Sequence, residues 1–231
     1  MLKIEKFVTP SPEQWEITIE GMRNAMNSWN RMDSVFLGDV NGLIQTHMTL
    51  GENDKDLMMR LNKGGAPHAK YRRMLPVHVT VTAPLYWWKE FETYRIGVAS
   101  NPSDIEFNSC STMHKIHAKE FTLEDFSTEQ LFAEGVATIK ETIEMLNYFR
   151  GRYYVAKEAE NPNAMKDYRY QMIQLLPSSY NQKRTIYLNY QVLYEIYEWR
   201  RNHKLDEWHT FCHWIEELPY SELIIGEVED E

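Results

Sequence analysis

Between His78 and Phe91 the chain changes period. "HVTVT" alternates as a β-strand does, Ala83-Pro84 interrupts, and "LYWWKEF" then recurs at helical spacing. The same succession returns later, where "QKRTIYLN" alternates and "YQVLYEIYEWRRN" repeats at helical spacing. Two strands, each delivering a helix, restrict the chain to folds that mix sheet and helix. Trp87 and Trp88 sit at the start of the first of these helices and Arg95 follows it. The expectation is that one tryptophan packs the core and the other faces a neighbouring subunit.

At 231 residues the chain can bury a substantial core, and a single domain over 1–231 is expected. Its 25 basic and 34 acidic residues leave a net charge of −9, which excludes a general affinity for nucleic-acid backbones or anionic membranes. No apolar run approaches the roughly 18 to 20 residues that span a bilayer. Cys110 and Cys212 lie far apart, and the start has no basic-then-apolar signal, so a reducing, cytoplasmic setting is expected.

Along the chain, "LKIEKFV" reads as an edge strand and residues 13–28 as a helix through Trp15, Ile17, Ile19, Met22 and Met26. Residues 32–51 are open between hairpin and loop. A helix capped by Asn53 or Asp54 follows, with Leu57, Met58 and Leu61 on one face and Gly64-Gly65 as its stop. Residues 97–113 are small and polar and read as a surface loop. A long helix over 134–159 places Val136, Ile139, Ile143, Leu146 and Phe149 on one face, and it is expected to pack on the sheet. A helix then runs through Tyr170 to Leu176, and "DEWHTFCHWIEEL" forms a last one before an acidic tail. The whole reads as α+β, with a mixed or antiparallel sheet flanked by several helices.

Three groups of residues carry possible chemistry. His203, Asp206, His209, Cys212 and His213 have spacings that a zinc or iron ion could use, but Trp208, Phe211 and Trp214 share their helix, and one helix rarely closes a metal site. Basic islands at Lys70, Arg72 and Arg73, at Arg95, at Lys183 and Arg184, and at Arg200 and Arg201 could converge on a phosphorylated ligand, because guanidinium forks match phosphate oxygens. Taken singly, each is an ordinary solvated cation. P-loop, G-x-G-x-x-G, G-x-S-x-G and Cys-x-x-Cys signatures are all absent. Cys110 with His114 and His117 nearby could be read as a nucleophile beside a base, yet no oxyanion donor or orienting third group is in view.

In order along the chain, "LMMRLNKGGAPH", "VHVTVTAP", "LYWWKEFETYRIG", "NSCSTMH" and "LLPSSYNQKRTIYLNYQVLYEIYEWRRNHKLDEW" resemble segments of the flavin-dependent thymidylate synthases. The chain looks closest to uncharacterised members from bacteriophages and prophages, which share "HKLDEWHTFC" and "LLPSSYNQKRT". The resemblance implies a homotetramer in the cytoplasm, that of the host cell if phage-encoded. It further implies FAD held between subunits, dUMP beside the isoalloxazine, NADPH as reductant and methylenetetrahydrofolate as one-carbon donor.

By resemblance, His68 matches the family's turn histidine, Arg95 the last arginine of its R-H-R motif and His203 the flavin-facing histidine, and these three are the implied cofactor-binding residues. Ser111, Lys183 or Arg184, and Arg200 or Arg201 are the implied nucleotide-binding residues. The chain departs from the pattern at Thr93 and Tyr94, which replace the motif's first arginine and histidine, and at Ser109 and Met113, which replace a loop glutamate and arginine. Such a site needs no side-chain nucleophile, since positioning and phosphate neutralisation are the protein's tasks. A rival reading is a nucleotide-binding or sequestering protein of the same fold without turnover.

Overall fold

The computed structural model describes residues 1–37, 47–96 and 105–226. The side chain of Arg95, residues 97–104 of the stretch expected to be a surface loop, and the acidic end 227–231 lie outside the described residues. The fold is α+β, with helices flanking antiparallel sheet. The chain divides into two compact units, one made of Met1–Lys3, Val81–Glu92 and Asn108–Arg184, the other of Ile4–Thr80, Thr93–Phe107 and Thr185–Glu231.

The expected strands are present as β4 (Pro76–Pro84) and β6 (Asn181–Asn189), neighbours at the centre of a four-stranded sheet of order β1-β4-β6-β5. β1 (Lys3–Val8) is an edge strand, as its sequence implies. Alternate residues of β4 and β6 are buried, so each strand presents one apolar face. Each runs directly into a helix, β4 into α3 (Leu85–Phe91) and β6 into α7 (Tyr190–Arg200). Pro84 occupies the N-cap of α3, whereas the Asn189 side chain caps α7 by accepting the Val192 N–H at 3.0 Å. The other edge strand, β5 (Glu106–Ser109), lies in the stretch expected to be loop, and beyond its end the Cys110 N–H bonds the Lys183 carbonyl at 3.0 Å.

In the first unit Trp87 and Trp88 are both fully buried, which corrects the expectation that one faces a neighbour. Their rings meet edge-on with centroids 4.8 Å apart, and both contact Phe91. The Trp88 indole N–H donates to the Gln182 carbonyl at 2.8 Å, so its polar edge is satisfied inside the unit. The long helix, α5 (Ala133–Glu158), buries Ile139, Leu146 and Tyr153. These residues are seven apart, the repeat of a helix–helix seam. Its partner is α6 (Pro162–Leu175), and Phe121, Phe126 and Met172 complete that core. The long helix therefore packs along another helix, where packing on the sheet was expected.

In the second unit α1 (Pro12–Arg23) stops short of the expected end, passes into a 3-10 turn and reverses at Asn27 with φ 48°. Strands β2 (Val35–Leu37) and β3 (His47–Thr49) pair antiparallel, the hairpin alternative for this stretch, with 38–46 outside the described residues. Helix α2 (Glu52–Lys63) is capped from a distance. The Asp33 carboxylate accepts the Asn53 and Asp54 N–H groups at 2.9 and 3.1 Å. A β-carbon at Gly51 would lie 2.2 Å from that carboxylate, so only glycine fits there. Asp54 itself turns inward to Arg23. Further helices are α4 (Thr93–Ile96), α8 (Asp206–Glu216) and α9 (Glu222–Ile225).

Candidate functional site

The sequence-derived residues fall into two groups, one in each unit. In the first unit Arg184 is 7% exposed, and its guanidinium carbon lies 4.5 Å over the Trp88 ring. Its Nε donates to Gln182 Oε1 at 2.9 Å and its Nη1 to Glu92 Oε1 at 2.7 Å. The Gln182 amide is itself oriented, because its Nε2 donates to the Cys110 carbonyl at 2.6 Å. Arg184 is thus a positioned cation on an aromatic plane with a half-exposed carboxylate beside it. Lys183 is exposed, since neighbouring strand residues point to opposite faces. Ser111 is exposed, and its oxygen accepts the Met113 and His114 N–H groups at 3.4 and 2.9 Å, leaving its own proton to donate.

In the second unit Arg200, at the end of α7, lies 4.8 Å over the buried Trp208 ring and donates through Nε to the Tyr94 hydroxyl at 2.7 Å. Tyr94 and Trp208 are in edge contact at 5.9 Å. The His203 ring stands 6.2 Å from Trp208 and accepts the Leu205 N–H on Nδ1 at 3.2 Å. In the neutral ring the proton therefore sits on Nε2. Trp208 is the hub joining Arg200, Tyr94 and His203. Arg201 differs from its neighbour, being exposed with a long 3.8 Å ion pair to Glu198. His68 is exposed after α2, where its N–H bonds the Gly65 carbonyl at 3.0 Å and its side chain packs over Gly64. Arg95 has its backbone in α4, next to Tyr94.

Tyr94 and Trp208 are the residues that sequence reasoning missed as parts of this group. Tyr94 was visible only as a departure from a motif, and its partner is 106 residues away. The histidine-rich helix does not gather ligands, because Cys212 is buried while His209 and His213 are exposed. Among the described residues no group of three His, Cys, Asp or Glu could hold a metal ion. Burial pushes the Cys212 thiol up to about 12, with Glu216 adding to the effect, so it is protonated and unreactive at neutral pH.

Comparison with known proteins adds fold-level likeness. The α+β architecture is similar to that of two crystal structures of thymidylate synthase X (ThyX) from Helicobacter pylori, both with FAD and dUMP. The first has a TM-score of 0.62 at 15% identity, and the second 0.55 at 14%, with 97% of each chain covered in both cases. No protein-family model and no curated protein matches the chain by sequence. Among the described residues no helix is long and apolar enough to cross a membrane.

Proposed function

We propose that this chain is a flavin-dependent thymidylate synthase-like protein that binds FAD and a uracil nucleotide, dUMP, for reductive methylation of the base. The observation that carries the reading is the likeness, over 97% of both chains, to structures holding FAD and dUMP. The donor chemistry fits such ligands. Arg184 and Arg200 each lie on an indole face, Ser111 offers a hydroxyl proton, and His203 is oriented by a backbone N–H. Bound FAD would supply the hydride, with NADPH as its reductant and methylenetetrahydrofolate as the one-carbon donor.

The chain's own work in this reading is binding and orientation. Arg200 in the second unit, and Arg184 or Lys183 and the Ser111 hydroxyl in the first, each offer donors that suit phosphate oxygens. His203, His68 and Arg95 face the flavin, while Arg201 stays on the surface. Trp208 and Tyr94 hold the Arg200 guanidinium in place before any ligand arrives, which lowers the ordering cost of binding. The proposal includes a single domain over 1–231, a cytoplasmic setting, phage origin, no nucleic-acid partner, and assembly into a tetramer. Exposed apolar side chains on α5 and α6, including Met145, Tyr148, Val155 and Tyr170, offer a face for assembly.

Titration calorimetry with dUMP tests the substrate half of the reading. Wild type should bind, and Arg200→Ala should weaken binding by about 1.5 to 3 kcal/mol, the loss of a charge-assisted hydrogen bond. Equal binding by both proteins would remove Arg200 from the site. Binding of dUMP by a protein that takes up no flavin would favour the sequestering reading.

A further inference from the structure

We propose that a cavity where the end of α1 meets the start of α2 is an anion site for a phosphate-bearing small molecule. It shares no residue with the site described above. The cavity holds about 450 Å³, within the range of small-molecule pockets. Three arginines (Arg23, Arg31 and Arg60) and three asparagines (Asn27, Asn30 and Asn53) line it against one carboxylate, Asp56. All lie within the second unit.

Each arginine brings a different property. Arg23 is 2% exposed, donating through Nε to Asp54 at 2.6 Å and through Nη1 to the Ser28 carbonyl at 3.3 Å. Its buried Nη2 has no hydrogen-bond partner among the described residues. A buried guanidinium N–H without an acceptor is costly, and an anion is the partner that relieves it best. Arg60 is held by Asp56 at 2.8 Å, but both side chains are more than half exposed. A solvent-exposed pair of that kind contributes little, so Arg60 can exchange its carboxylate for phosphate at little cost. Arg31 is exposed, and its guanidinium makes no hydrogen bond or ion pair among the described residues.

The backbone that presents them is already shaped. Asn27 is left-handed at φ 48°, the next turn is 3-10 over Trp29–Arg31, and the Trp29 indole N–H ties it to Asn24 Oδ1 at 2.8 Å. The lining decides the ligand class. Three guanidinium groups against one carboxylate reject a divalent cation, and among the described residues the lining is apolar only at Met26 and Leu57. Arginine forks suit phosphate oxygens, and asparagine amides both donate to and accept from an attached hydroxyl or amide edge.

The test is titration calorimetry on the full chain with sodium pyrophosphate, and separately with inorganic phosphate, at low and physiological salt. Pyrophosphate is expected to bind, with Arg31→Ala and Arg60→Ala each weakening it at least about fivefold, as loss of a charge-assisted bond requires. Asp56→Asn is expected to tighten binding. Lys140→Ala removes the same charge from an exposed position on α5 and should change binding less than about twofold. An equal loss in Lys140→Ala would mean non-specific attraction and overturn the proposal. So would absence of binding, or binding abolished by Arg200→Ala and untouched by Arg31→Ala and Arg60→Ala, which would assign the ligand to the nucleotide site. Arg31 and Arg60 are exposed, so the variants should fold, and circular dichroism checks this.

Discussion

Replacing Tyr94 by phenylalanine removes one oxygen and leaves the Arg200 Nε without its 2.7 Å acceptor. The Tyr94→Phe variant should lose about 1 kcal/mol of stability in urea unfolding, the net value of one hydrogen bond. If Arg200 binds nucleotide, the same change should weaken dUMP binding by freeing the guanidinium. Asp54 gives a pH-dependent case. Burial alone would raise its carboxyl, but hydrogen bonds from Ser34 and Arg23 and from the Asp33 and Ser34 amides outweigh this and hold it below the ordinary value. A depressed folded pKa contributes stability that is full above the unfolded value of about 3.9 and is lost as pH falls through the folded one. Asp54→Ala strands the buried Arg23 charge and should cost about 3 to 5 kcal/mol near neutral pH. That deficit should narrow in unfolding curves taken below about pH 4. At this scale the sequence identified cations but not their settings. Arg184 and Lys183 differ by one strand position, and Arg200 and Arg201 by one helix position, so which is held on an indole face depends on partners far along the chain.

At the scale of elements, period was the readable signal. Both strand-to-helix successions, the edge strand β1 and the long α5 follow from apolar spacing. Caps were less legible, because the acceptor at the start of α2 is Asp33, some twenty positions back, and local rules point to Asn53 or Asp54 instead. The packing partner of α5 was misread for a related reason. A single apolar stripe says which face is buried and nothing of what covers it, and here α6 does. Leu146 sits at the middle of that seam with no exposed surface. Leu146→Ala should cost about 2 to 5 kcal/mol, the range for deleting a large buried side chain, read from the shift in the urea midpoint. A cost under about 1 kcal/mol would mean that the α5–α6 seam is not a core.

For the whole molecule, the α+β architecture expected from the sequence is the one observed, and it is similar to that of ThyX over 97% of the chain. Chemistry does not follow from fold alone. By the resemblance, Thr93 and Tyr94 stand where an arginine and a histidine would be expected, and in the structure Tyr94 is the acceptor for Arg200. Flavin binding is the property on which the functional reading turns. The most direct measurement is a visible-absorption and fluorescence titration of the purified 231-residue chain with FAD, after dialysis to remove any bound flavin. A perturbed flavin spectrum, quenched fluorescence and saturation at a fixed ratio of FAD to chain are expected, weakened in Arg95→Ala. A flavin spectrum unchanged up to the solubility limit of the protein, with and without dUMP, would contradict the functional reading.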